Sequence, residues 1–138
     1  MVAPVTVHDD ELIAHVIRTE AAALASLSAF VPRMTHQFVH YVQKTTGKVV
    51  FSGLGKSGLL GACLAATFSS LGIPALSLHP VDALHGDSGV LQATDCLVLI
   101  SKSGTGTELA MLAQYAQRVG AAVVVLTCSA EPLAILAD

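Results

Sequence analysis

An α/β fold, with helices layered on both faces of a parallel sheet, is the fold class that this sequence of 138 residues predicts. Three observations lead there. Four short apolar runs, at 48–52, 74–79, 95–101 and 121–127, alternate with stretches of helical character. The runs lack the polar alternation of a half-solvated strand, as expected when helices cover both faces. Two strand-to-helix junctions are rich in glycine and hydroxyls, namely Gly53-Leu54-Gly55-Lys56-Ser57-Gly58 and Ser101-Lys102-Ser103-Gly104-Thr105-Gly106-Thr107. A β-α-β series of this kind closes into a parallel sheet within a three-layer α/β/α sandwich.

The elements follow in order. Asp9 or Asp10 can cap a helix running to about Ala29, with Leu12, Ile13, Val16, Ile17, Leu24 and Leu27 on one stripe and Glu20 at its edge. Pro32 breaks that helix, and a second, shorter one is expected over Met34–Lys44. After Gly47 come strand 48–52, helix 57–71, strand 74–79, an irregular loop 80–94, strand 95–101, helix 106–119 and strand 121–127. No repeat, low-complexity tract or internal linker interrupts the chain. A single domain 1–138 is therefore expected, with N-terminal helices at 1–46 and the α/β core at 47–138.

Composition narrows the function. Hydrophobic residues make up 53% of the chain and charged ones only 12%, too apolar for disorder and poor in charge for a solvated monomer. Part of the surface is expected to be covered by another subunit. The net charge of −3, without a basic stripe, argues against a nucleic-acid partner. No apolar run reaches the length of a membrane span, and Met1–Leu12 lacks the basic-then-apolar order of a signal peptide, so a cytoplasmic protein is expected. Cys63, Cys96 and Cys128 are widely spaced in apolar segments and read as reduced, buried small hydrophobes.

The loop at Gly53–Gly58 satisfies the glycine spacing of a dinucleotide-binding turn and ends like a P-loop, yet fits neither. Val50 stands where a P-loop needs its first glycine. A dinucleotide fold wants an acid at the tip of the next strand, which here reads Ser77-Leu78-His79-Pro80, and Asp82 comes too late. What remains is the shared physics: glycines allow close backbone approach, and the helix start at Ser57 offers N–H groups to an anion. The second loop offers four hydroxyls, two glycines and Lys102 at another helix start, a strong anion cradle. A capping box of Thr105 with Glu108 would explain those two residues but not Ser101, Ser103 or the extra glycine. In doubly wound sheets the first and third strands are commonly neighbours, and the crevice between their carboxyl ends takes the ligand. A small phosphorylated ligand suits such a crevice better than a dinucleotide.

Gly53–Gly58, followed by the run from Leu71 to Leu109 with its His79-Pro80 and His85-Gly86-Asp87 segments, resembles the sugar isomerase (SIS) domain, closest to the D-arabinose 5-phosphate isomerases. The likeness covers about Gly47 to the end. It implies a flavodoxin-like sandwich, a homodimer or homotetramer, and a metal-independent interconversion of D-ribulose 5-phosphate and D-arabinose 5-phosphate without a cofactor. It also implies that Gly55, Ser57, Ser101, Lys102, Ser103, Gly104, Thr105 and Thr107 hold the substrate, and that Lys56, His85 and Glu108 are catalytic. A non-catalytic phosphosugar-binding module, or an isomerase for another sugar phosphate, are the alternatives. Family loops usually read Ser-Asn-Ser-Gly-Glu-Ser/Thr; here Lys102, Thr105 and Gly106 depart from that pattern, and Gly106 removes a hydroxyl that Thr107 or Lys102 would have to replace. The resemblance also implies a fifth strand and final helices after Asp138, with another acid and a histidine and often a pair of CBS domains. The chain thus reads as a fragment of a longer protein or a shortened relative.

The chemistry assigns the roles. Moving a carbonyl between C1 and C2 needs a base to shuttle a proton through a cis-enediol and a cation or acid to stabilise the enediolate oxygen. Glu108 is the only carboxylate at the second loop's helix start and is the candidate base. Lys56 stabilises developing negative charge or the phosphate, and His85 opens the ring or moves a proton between oxygens. A metal set of His79, His85 and Asp87 is weakly supported by two histidines on an irregular loop. His8, His15, His36 and His40 read as surface or interface residues.

Overall fold

The computed structural model describes residues 7–29, 31–129 and 133; the side chains of residues 7, 8 and 32–34 lie outside the described set, His8 among them. Two compact units are present, Met1–Gln37 and Phe38–Asp138. In the first, α1 (Val7–Leu27) places Asp9 and Asp10 in its first turn, where they complement the helix dipole instead of capping from outside. Its apolar residues Leu12, Ile13, Val16, Ile17, Leu24 and Leu27 are all exposed. Helix α2 (Val31–Lys44) has Pro32 in its first turn, a position where a missing N–H removes no helical hydrogen bond. Pro32 therefore opens the second helix as much as it separates it from the first.

The second unit is built on a four-stranded, wholly parallel sheet of order β2-β1-β3-β4. The strands are β1 (Val49–Gly53), β2 (Ala75–Ser77), β3 (Cys96–Ser101) and β4 (Ala122–Thr127). β1 and β3 are buried along their whole length, which is why their sequences carry no polar alternation. Side chains alternate between two apolar layers. Val49, Phe51, Cys96, Val98 and Ile100 face Phe38, Tyr41 and Val42 of α2 and Leu64, Ala65 and Phe68 of α3 (Lys56–Ser70). Phe51 and Phe68 meet edge-on, with centroids 5.2 Å apart. On the other face Val50, Leu97, Leu99 and Val123 meet Leu109, Leu112, Ala113 and Ala116 of α5 (Thr107–Val119). The expected three-layer sandwich is present.

Three details depart from expectation. The segment 80–94 is not irregular throughout: it holds α4 (Pro80–Leu84), opened by Pro80 at its first position, and a 3₁₀ turn over Asp87–Val90. Proline punctuation there starts a helix too short to carry a legible period. Helix α5 begins at Thr107 behind a Gly106 cap that makes no side-chain capping bond, so the Thr105–Glu108 capping box does not form. Only Cys96 is buried; Cys63 and Cys128 are free and exposed. Cys63 sits on α3 away from the buried Gly61 and Ala65, and Cys128 lies one residue beyond the last paired position of β4.

At the amino ends of the strands Asp95 fastens the two central strands together. One carboxylate oxygen accepts from the Lys48 backbone N–H at 2.9 Å; the other accepts from Lys48 Nζ at 2.6 Å and from the Gln92 N–H at 2.8 Å. Lys48 Nζ also donates to the Val90 carbonyl at 2.7 Å. Gly47 stands against this clasp, where any Cβ would run into the Asp95 carboxylate and Thr94. Burial pushes the Asp95 carboxyl upward, but the Lys48 ammonium and the two backbone donors outweigh it and hold the group below its ordinary range. Because the folded pKa is depressed, the pair's stabilisation is complete above the ordinary carboxylate range near 4 and is lost as pH falls through the folded value. We expect Asp95→Asn to lower stability by about 2–4 kcal/mol in denaturant titrations at pH 7. The difference from wild type should shrink as pH drops below about 4.

Candidate functional site

The strand order reverses between β1 and β3, with α3 leaving β1 on one face and α5 leaving β3 on the other. Gly53 pairs with Ile100, so both chains quit the sheet at the same level, and the two loops flank one crevice. In the first loop the glycines do different work from what ligand approach alone would ask. A Cβ on Gly58 would lie 2.6 Å from the Gly53 carbonyl oxygen, and one on Gly53 only 2.8 Å from the Ser57 backbone. These two glycines let α3 start hard against the strand end. Gly55 instead carries the turn, at φ 54°, with open space around it. The Ser57 N–H donates to the Leu54 carbonyl at 3.1 Å, so what Ser57 presents is its half-buried hydroxyl.

The second loop is held by its own polar groups. Ser101 Oγ donates to the Thr105 carbonyl at 3.0 Å, while the Ser103 and Thr105 hydroxyls share a hydrogen bond of 2.8 Å. The Gly104 N–H donates to the Ser101 carbonyl, and Gly104 and Gly106 take φ of 70° and 142° that other residues rarely adopt. Two outside strands of chain brace it: the Cys128 N–H donates to the Lys102 carbonyl at 3.2 Å and the Leu133 N–H to the Gly104 carbonyl at 3.1 Å. Whichever of Ser103 and Thr105 accepts in their shared bond keeps its own proton to offer outward.

Between the loops lies a cavity of about 480 Å³ whose polar lining is Ser57, Ser101, Lys102, Ser103 and Thr105. Leu54, Ile100, Leu109 and Cys128 form the remainder. Five of the expected substrate-binding residues thus surround one space of the right order for a small ligand. Gly55, Gly104 and Thr107 belong to the same loops but do not line it. Lys56, His85 and Glu108 do not line it either: Lys56 is exposed at the first position of α3, His85 is exposed just after α4, and Glu108 is half-buried in the first turn of α5. His79 Nδ1 lies 4.0 Å from Asp82 Oδ2, a local contact within α4's first turn. Among the described residues no three His, Cys, Asp or Glu side chains gather as a metal set would. The apolar lining was missed in the sequence, although the carboxyl end of β4, where Cys128 sits, is a third strand tip facing the same crevice.

The sequence pattern of the SIS domain matches residues 42–138, more than half of the chain. The chain belongs to the SIS domain family. Among similar proteins, a probable arabinose 5-phosphate isomerase of Haemophilus influenzae is 35% identical over 111 residues, covering 80% of this chain and 33% of the relative. The arabinose 5-phosphate isomerase KpsF of Escherichia coli is 36% identical over 123 residues, covering 86% of this chain and 38% of the relative. The chain thus spans about a third of the length of these curated relatives. The solved structure of c3406 from E. coli CFT073, in complex with arabinose 5-phosphate, superposes with a TM-score of 0.88 at 33% identity, over 97% of this chain and 72% of that one. A phosphoheptose isomerase, GmhA of Neisseria gonorrhoeae, shares the fold at 20% identity with a TM-score of 0.77.

The hydroxyls of the second loop can be tested directly for a part in holding a phosphate. Replacing both Ser101 and Ser103 by Ala removes two hydroxyls together with both side-chain hydrogen bonds that shape the loop. Calorimetric affinity for a sugar phosphate is expected to fall by roughly 1–3 kcal/mol per lost charge-assisted bond. Unchanged affinity would rule these two hydroxyls out as phosphate ligands.

Proposed function

We propose that this chain is the sugar-phosphate-binding part of an aldose–ketose isomerase that interconverts D-ribulose 5-phosphate and D-arabinose 5-phosphate. The observation that carries the reading is the cavity at the β1/β3 switch point, with Ser57, Ser101, Ser103, Thr105 and Lys102 converging on one space. Relatives covering most of the chain that carry the name arabinose 5-phosphate isomerase support it. The phosphate lies among the hydroxyls, with Lys102 supplying positive charge and the start of α5 a favourable dipole. Anchored there, the substrate presents C1 and C2 to Glu108, Lys56 and His85. Glu108 takes the proton from C2 of the aldose, electrons move into the C1 carbonyl to give the cis-enediol, and the proton is returned at C1. Lys56 stabilises the enediolate oxygen, and His85 transfers the proton between the two oxygens.

A second reading, a phosphosugar-binding regulatory module, draws on two observations. Lys56, His85 and Glu108 stand outside the cavity lining, and Gly106 carries no hydroxyl where related loops have one. Deuterium exchange separates the two. Glu108→Gln is expected to lower turnover about a hundredfold or more while affinity changes little, and exchange at C2 of D-arabinose 5-phosphate should vanish in parallel. Binding without any exchange by the unaltered protein favours the regulatory module.

We also propose a homodimer or homotetramer, because six large apolar residues of α1 are exposed in the single chain. Sedimentation of the purified protein should give a dimer or tetramer; a stable monomer at micromolar concentration would count against it.

A further inference from the structure

The cavity lining is of two kinds, polar and apolar, and only the polar kind is explained by a phosphate. Ser57, Ser101, Lys102, Ser103 and Thr105 serve the anion. The rest of the lining, Leu54, Ile100, Leu109 and Cys128, offers nothing a phosphate would seek. Ile100 and Leu109 are 7% and 2% exposed and form part of the core, so they make a fixed floor. Leu54 and Cys128 are exposed, and they come from different parts of the chain: Leu54 from the turn after β1, Cys128 from just beyond β4. These two alone among the apolar lining residues can change in size without disturbing the core.

We propose that Cys128 is a specificity-determining residue. On this view its small side chain leaves the room in which the carbon chain of the ligand lies, and so decides which sugar phosphates enter. The inference rests on the sugar-phosphate reading above and adds to it the residue that measures the sugar. The backbone of Cys128 is tied to the cradle, its N–H donating to the Lys102 carbonyl at 3.2 Å. The side chain therefore has a fixed origin relative to the phosphate-binding loop, as a measuring residue requires. The C–H face of a sugar packs well on a thiol and a leucine, whereas a charged or strongly hydrated group would lose its water there. A larger residue at 128 shortens the space beyond the phosphate without touching the hydroxyls that hold it.

The chain carries its own control. Cys63 is also exposed but lies on α3 and does not line the cavity, and Cys96 is buried in β3. Iodoacetamide labelling of the purified protein, read per residue by mass spectrometry, is run alone, with inorganic phosphate, and with D-arabinose 5-phosphate. With the sugar phosphate at about ten times its Kd, labelling of Cys128 should slow about tenfold by mass action while Cys63 is unaffected. Inorganic phosphate at the same saturation should protect Cys128 much less. In calorimetry, Cys128→Phe should weaken D-arabinose 5-phosphate binding at least about tenfold and change phosphate binding by less than about twofold. Binding of the sugar phosphate with no protection of Cys128, equal protection by phosphate alone, or undiminished binding by Cys128→Phe each overturns the assignment and leaves the sugar-phosphate reading intact. Absence of sugar-phosphate binding by the unaltered protein overturns both.

Discussion

The pairing of β1 with β3 is the constraint on which the rest of this structure depends. It is fixed at both ends by different physics. At the amino ends the Asp95 carboxylate takes donors from Lys48 and Gln92, and its nearly complete burial makes any slip of register expensive. At the carboxyl ends Gly53 stands opposite Ile100, with the start of α3 pressed against the Gly53 carbonyl. Shifting the register by one residue would send Val50 and Phe51 to the wrong layers and part the two loops that share the crevice.

That pairing also explains why the crevice forms without bulky polar machinery. Helices α3 and α5 leave neighbouring strands toward opposite faces, so neither of the two helices covers the space directly above β1 and β3. The loops that border it are short and glycine-rich because the backbone must turn sharply twice. Their hydroxyls bond to one another, which holds the second loop in shape before any ligand arrives. A cradle of this kind suits an anion, whose binding relies on donors already in place. Lys56, His85 and Glu108 contribute nothing to the cavity lining.

Much of the architecture was legible in the sequence because it rests on local signals. Unbroken apolar runs marked strands covered on both faces, and glycine-rich junctions marked the sharp turns above them. The SIS resemblance, too, lay in contiguous motifs. Elements shorter than the helical period were not legible: α4 has five residues, too few to show one. The Thr105–Glu108 spacing looked like a capping box, but Gly106 took the cap position and Thr105 turned back to Ser103.

By itself, then, the sequence determined the α/β class, the order of elements and the two polar loops, since each is written in residues adjacent along the chain. Tertiary structure alone decided which residues share a space. Ser57 and Ser103 meet around one cavity only because β1 and β3 are neighbours, and Cys128 joins them only because β4 follows β3 in the sheet. Cys128 reads as a core residue from its apolar neighbours in the chain, and it is exposed because β4's pairing with β3 stops at Thr127. Contact between distant parts of a chain depends on strand order and on where pairing ends, and no single stretch of sequence carries either.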